Sequence, residues 1–234
     1  MVEKSIHKLF ENYPDVLYGY TDISYSPFVK EYKSAFVFAV PYGKQLTIEN
    51  YSEKDFEQGI LDARKRLEMI LEQIEEVLKL HKIKYYIPPV AQESEQELLA
   101  PFSFKYAAVN AGLGWIGKND VLITKKYGPR VRLSAILIDC EFTYGQKITE
   151  SQCPDYCQKC VDICPYHALH NKKWNMDVLR SDIIDYHLCN QKRSLYIEKH
   201  GRKNSCGLCL AVCPFGVSNF SELEDSKNDK GSIY

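Results

Sequence analysis

Cys157-x-x-Cys160-x-x-x-Cys164-Pro165 and Cys206-x-x-Cys209-x-x-x-Cys213-Pro214 are two copies of one metal-binding phrase. Thiolate pairs at this spacing, each followed four residues on by a cysteine and a proline, are the arrangement that holds 4Fe–4S cubes. In two-cluster proteins the cysteine before proline ligates the other cube. The chemistry this implies is one-electron transfer, and every other feature must be asked what the electrons are for.

Each cube needs four thiolates, so the ligands can be counted. The first phrase supplies Cys157 and Cys160 to cluster one and Cys164 to cluster two. The second supplies Cys206 and Cys209 to cluster two and Cys213 to cluster one. Each set then lacks one ligand. Cys153, just upstream of the first phrase, completes cluster one, and Cys189, upstream of the second, completes cluster two. Only Cys140 is left over. It ends the run Leu133-Ser-Ala-Ile-Leu-Ile-Asp-Cys140, which reads as a buried strand, so the expected role of Cys140 is a small core residue.

Disulfides and zinc are the competing uses of so many cysteines. Nine is an odd number, and the chain shows neither a signal peptide nor a long apolar span. Those features point to a reducing cytoplasm, where disulfides rarely persist. Paired Cys-x-x-Cys units also bind zinc, but zinc does not call for a further Cys-Pro in both copies.

The formal charge of −1 offers no bulk attraction for nucleic acid or membrane. Residues 151–217 carry nine Lys/Arg against six Asp/Glu, an excess expected to balance two anionic cubes. The 234 residues therefore divide into 1–150, long enough for its own core, a cluster domain at 151–217, and a polar tail at 218–234.

The elements that must carry these loops are legible as periodicities. Ser34–Val40 is an apolar, β-rich run stopped by Pro41-Tyr42-Gly43. Ser52-x-x-Asp55 opens a helix as a capping box, with apolar residues at Phe56, Ile60, Ala63, Leu67, Ile70, Leu71, Ile74 and Leu78. Lys84–Ile87 reads as a strand. A helix is predicted from Pro101 through Ala111 with Gly112 at its C′ position. Val121–Thr124 and Val131–Ile138 are predicted to pair as a hairpin about Tyr127-Gly128-Pro129. The fold class is α+β with an antiparallel sheet.

Between that helix and the predicted hairpin lies Gly112-Leu-Gly-Trp-Ile-Gly-Lys-Asn119. Its spacing fits no phosphate-binding loop, and it follows a helix, not a strand. Three glycines would let the backbone approach a flat ligand. A helix cap and sharp turn with Trp115 packed inward would account for them equally well. Lys125, Lys126, Arg130 and Arg132 flank the predicted turn; they are expected to be solvated, the alternative being contact with an anionic ligand.

The segment Gly112–Asn119, the strands after it, the phrase endings Cys-Pro-Tyr-His-Ala-Leu and Cys-Pro-Phe-Gly, and Cys189 followed by Leu195-Tyr-Ile-Glu198 together resemble the epoxyqueuosine reductase family, from about Tyr32 to Val217. The resemblance implies kinship with reductive dehalogenases, a nitroreductase-like N-terminal core and a ferredoxin-like two-cluster domain. It also implies cobalamin, held base-off beside a cube. The corrinoid would be lined by Gly112, Leu113, Gly114, Trp115, Gly117, Lys118, Asn119, Leu122, Ile123 and Thr124. Electrons would come from an external donor of flavodoxin or ferredoxin type, through the exposed cube and then the nearer one, to cobalt. An electron-transfer or reductive-activator role for another corrinoid or flavin protein is the alternative.

Three departures bear on activity. The family's acidic proton donor falls, by this alignment, on Leu98, with Glu95 and Glu97 close by and Pro101 retained. The helical repeats that follow the cluster domain in full-length members have no counterpart in the sequence. The step Cys153-x-x-x-Cys157 is one residue longer than usual. The expectation is a short paralogue with the same cofactors and a different, unknown substrate, neither tRNA nor membrane being among its partners. Asp185-x-His187 begins like a corrinoid-binding motif, but Asn190 replaces the required glycine.

Overall fold

The structure, a computed structural model, describes residues 2–43, 45–89, 100–191 and 206–217. Leu98, Glu95, Glu97, the Leu195–Glu198 stretch and the 218–234 tail lie outside them. The central element is an antiparallel four-stranded sheet of order β1 (Leu17–Asp22), β2 (Ser34–Pro41), β6 (Val131–Ile138) and β3 (Tyr85–Tyr86).

β2 is buried along its whole length because the sheet is covered on both faces. Alternation sorts its side chains. Phe36, Phe38 and Val40, with Ile136 and Ile138 of β6, pack against α1 (Val2–Phe10) and α2 (Glu53–Leu80). Ala35, Val37 and Ala39, with Ala135 and Leu137, face α3 (Phe104–Asn110). Each fully buried Phe, Ile or Leu contributes about 1.5–3 kcal/mol to this core.

α2 follows its predicted period: Phe56, Ile60, Ala63, Leu67, Ile70, Ile74 and Leu78 are all buried, and Ser52 Oγ accepts the Asp55 amide as its cap. Its N-terminal end, Phe56 and Ile60, leaves the sheet and packs on Leu210 and Ala211 of the short helix Leu208–Ala211. A single helix thus supports both the sheet and the second cysteine loop.

Three expectations need correction. The helix predicted from Pro101 begins at Phe104, capped by Ser103 Oγ, although Gly112 does take the left-handed C′ conformation at φ 76°. The predicted pairing of Val121–Thr124 with Val131–Ile138 does not form. β5 (Leu122–Ile123) pairs instead with β4 (Trp115–Ile116), while β6 is bonded to β2 along its whole length and to β3 at Leu137 and Ile138. Cys140 packs against the core as expected, but it lies beyond the end of β6 and is only half-buried, its backbone carbonyl accepting from Ser34 Oγ at 2.6 Å.

Candidate iron–sulfur and cofactor site

The eight phrase-associated cysteines come together in two adjoining quartets. Cys153, Cys157, Cys160 and Cys213 line one small cavity, together with Lys118, Asn119 and Ile123. Burial, followed by the neighbouring Cys213, Cys153 and Cys157, pushes the Cys160 thiol up to about 12. Burial likewise raises Cys213 to about 12, opposed by a hydrogen bond from the Phe215 amide and by the Arg130 guanidinium. Cys209 is raised well above the usual thiol range by burial, then by Cys206, Cys160, Cys189 and Cys164. Cys160, Cys164, Cys189 and Cys209 also pack around Ala168, Leu169 and Ile184.

Buried thiols that resist ionisation suit a strongly Lewis-acidic partner, since iron takes the thiolate and supplies the charge that burial otherwise penalises. Among the described residues, no three His, Cys, Asp or Glu side chains are gathered closely enough for a single metal ion. A cube binds its thiolates at four separate irons, so it needs a wider spacing than zinc does. Cys140 belongs to neither quartet; its Sγ lies 3.5 Å from the Glu141 carbonyl.

The loops carrying these cysteines are tied to the sheet domain by side chains that bond backbone carbonyls. Lys118 Nζ donates to the carbonyls of Asp155 at 3.1 Å and Cys157 at 2.9 Å. Asn119 Nδ2 donates to the Cys209 carbonyl at 3.2 Å. Arg130 donates to the carbonyls of Phe215 at 2.7 Å, Ala211 at 3.2 Å, Cys213 at 2.7 Å and also Leu46. Tyr51 Oη donates to the Cys206 carbonyl. Asp120, in the left-handed region at φ 58°, accepts from Lys105 Nζ at 2.6 Å and from Arg180 Nε at 2.9 Å.

The expectation that Arg130 is solvated is therefore wrong. It is buried, whereas Lys125 and Lys126 are exposed. Sequence carries no signal for this, because its partners are main-chain groups more than eighty residues away.

The glycine segment divides between two places. Gly112, Leu113, Gly114 and Trp115 line a cleft of about 710 Å³ with Leu17, Tyr18, Lys125, Lys126, Lys147, Gln146, Thr149 and Glu150. Lys118, Asn119 and Ile123 line the cysteine cavity instead. Gly117, Leu122 and Thr124 line neither cavity; Thr124 Oγ1 holds the local turn by donating to Gly128 O at 3.1 Å and accepting the Tyr127 amide at 3.0 Å.

Space at the glycines is taken by the protein itself. A Cβ on Gly114 would run into the Ile123 carbonyl, one on Gly117 would lie 2.7 Å from Asn119 Oδ1, and one on Gly112 2.6 Å from Gln146 O. The glycines are accounted for by the close packing of the β4–β5 turn and its neighbours.

Trp115 joins the two places. It lines the cleft, is buried to 1 % exposure and packs with Ile123, Cys213, Cys153 and Phe215, the Phe215 ring meeting it edge-on at 5.0 Å. Among the described residues its buried Nε1 has no hydrogen-bond partner. Among the described residues lining the cleft there is no histidine. His187 lies in helical residues 186–191, where Asp185 Oδ1 caps the Leu188 amide at 2.8 Å, so Asp185-x-His187 is a helix start.

Comparison with known proteins agrees with this layout. Residues 152–216 match the family described as a 4Fe-4S double cluster binding domain. The chain is 32% identical over 148 residues to a tetrachloroethene reductive dehalogenase of Dehalobacter restrictus, covering 57% of this chain and 24% of that protein. It is 32% identical over 120 residues to an epoxyqueuosine reductase of Cellulophaga algicola, covering 50% and 38%. The chain thus spans well under half the length of these curated relatives. Its fold superposes with a TM-score of 0.67 on a reductive dehalogenase whose structure suggests a mechanism for B12-dependent dehalogenation, at 15% identity and over 98% of this chain and 34% of that one. Paired cysteine phrases, their clamps and these likenesses together give a chain with a double-cluster 4Fe-4S binding domain that is similar to epoxyqueuosine reductases and to reductive dehalogenases.

Proposed function

We propose that the chain is a reductase that passes electrons from an external flavodoxin- or ferredoxin-type donor, through two 4Fe–4S clusters, to a base-off cobalamin seated in the cleft. Cys153, Cys157, Cys160 and Cys213 hold the first cluster, and Cys164, Cys189, Cys206 and Cys209 the second. The observation that carries this reading is Trp115, which is among the residues lining the cleft and belongs to the same packed cluster as Cys153 and Cys213. A redox group in the cleft would lie one side chain away from the first cluster.

The lining fits a corrinoid. Gln146, Gln152 and Thr149 offer amide and hydroxyl partners for its amide side arms, and Lys125, Lys126 and Lys147 offer cations for its phosphate. A bound corrinoid would supply a strongly reducing metal centre; the clusters supply single electrons. Leu113 and Trp115 shield the inner wall from water, while the polar rim orients the bound group.

The sheet with helices on both faces is read as the nitroreductase-like core that the resemblance implies. Residues 1–150 form the cofactor-binding part and residues 151–217 the cluster part. The proton donor is unassigned. Tyr18 lines the cleft with its hydroxyl 2.9 Å from His7 Nδ1, and burial raises its pKa.

The test is anaerobic purification with iron, sulfide, zinc and cobalt analysis, then titration with cobalamin and cobinamide under reducing conditions, followed by visible absorption. About eight iron and eight sulfide per chain with saturable corrinoid binding are expected. Stoichiometric zinc would overturn the cluster reading. Failure to bind either corrinoid would leave the clusters and promote the electron-transfer or activator role.

A further inference from the structure

We propose that Arg130 and Lys118 are the buried countercharges of the cluster held by Cys153, Cys157, Cys160 and Cys213, and that they make it the higher-potential member of the pair. The inference rests on the two-cluster reading above and goes beyond it by ordering the two potentials.

Both cations are only 3 % exposed. Among the described residues neither is paired with a carboxylate. Arg130 donates hydrogen bonds to four main-chain carbonyls, one of them that of Cys213, and Lys118 to two, one of them that of Cys157. Carbonyl dipoles stabilise a cation but do not neutralise it. Two unneutralised charges in a dry site are costly unless an anion shares it.

A cube with four thiolates is such an anion, carrying about two negative charges when oxidised and about three when reduced, by formal count. Lys118 lines the cavity of the first quartet, and Arg130 grips the chain at its fourth cysteine. Lys159 also lines that cavity but is exposed, so solvent screens it.

The second quartet is surrounded differently. Arg180, which lies over the Tyr186 ring at 4.5 Å, is already paired with Asp120. Net charge and hydrogen bonding are the protein's levers on cluster potential. Buried positive charge favours the reduced cube, so the first cluster accepts its electron more readily than the second. In that step a one-electron donor of flavodoxin or ferredoxin class is oxidised by one electron and one cube is reduced by one; no bond is made or broken.

Potentiometric titration of the anaerobically reconstituted full chain, followed by electron paramagnetic resonance, tests this. Two midpoints are expected. Arg130→Met and Lys118→Met should each lower the higher midpoint, by at least tenfold in the reduction equilibrium, about 59 mV for one electron, and leave the lower one in place. Arg130→Lys keeps a charge but loses the planar fork, so it should hold the midpoint near its original value while lowering the melting temperature. Arg66→Met, at the Asp15 ion pair, should move neither midpoint.

Intact clusters with unmoved midpoints, or movement of the lower midpoint only, would overturn the proposal. If Arg130→Met assembles no cubes, Lys118→Met decides by the same rule. If the unsubstituted chain holds no iron and sulfide, the cluster reading itself has failed.

Discussion

Gly128 and Gly216 meet across the joint between the sheet and the second cysteine loop, both in the left-handed region, at φ 57° and 73°. A Cβ on Gly128 would run into the Phe215 carbonyl, and one on Gly216 into the backbone of Tyr127. Two main chains more than eighty residues apart in sequence therefore touch without side chains between them. Just beside this contact, Arg130 reaches the carbonyls of Phe215 and Cys213.

Either Gly128→Ala or Gly216→Ala should accordingly destabilise the fold by about 2–4 kcal/mol, the sum of a left-handed residue and a steric clash. Thermal melts and iron content measure it. A melting temperature within a degree or two of the original would show that the joint can open without loss.

The cysteine quartets make an asymmetric prediction. Cys140→Ala should leave iron and sulfide unchanged, since the thiol stands outside both quartets. Cys189→Ala should lose about half of both, or yield a damaged three-iron cluster visible by electron paramagnetic resonance. Loss of iron from the Cys140 variant would break the ligand count.

Asp120 is nearly buried, between Lys105 and Arg180. Asp120→Asn leaves two cations without their counterion, and because both are about one-third exposed the cost is put at about 1–3 kcal/mol. Chemical denaturation is the measurement, and Asp120→Glu should recover part of the loss.

The Asp15–Arg66 pair predicts a small acid sensitivity. Two hydrogen bonds from Arg66, at 2.5 and 2.6 Å, hold the Asp15 carboxyl below its ordinary value of 3.8. A depressed carboxylate pKa gives stability that is present above the unfolded value and is lost as pH falls through the folded one. The pair is about 40 % exposed on the aspartate side, so the contribution is about 0.5 kcal/mol after screening. Comparing Asp15→Asn with the original chain between pH 7 and pH 2.5 should show the difference shrinking below about pH 4.

The cleft and the glycine turn can be separated by mutation. Gly114→Ala should destabilise the whole protein, because its Cβ meets the Ile123 carbonyl inside the β4–β5 turn. Thr149→Trp, at an exposed position of the cleft, should leave iron content and melting temperature unchanged but abolish saturable cobalamin binding. Retained binding in the Trp variant would place the corrinoid elsewhere.

What could be read from sequence alone was what has a short period or a strict spacing. Each cysteine phrase is confined to eight residues, Cys157–Cys164 and Cys206–Cys213, and the α2 stripe repeats every three or four. The all-apolar run of β2 also announced itself, because burial on both faces demands it. Long-range facts had no such signature. Where β5 would pair had no marker of its own: its partner is the two-residue strand Trp115–Ile116, while Tyr85–Tyr86 joins β6 at Leu137 and Ile138. The glycines of the Gly112–Asn119 segment looked like room for a ligand, yet tertiary packing fills Gly114 with the Ile123 carbonyl. Arg130 looked like a solvated turn residue, and only the fold places it under the loop that carries Cys213. Its partners are carbonyls, which every residue possesses, so no pattern of side chains in the sequence could have marked them.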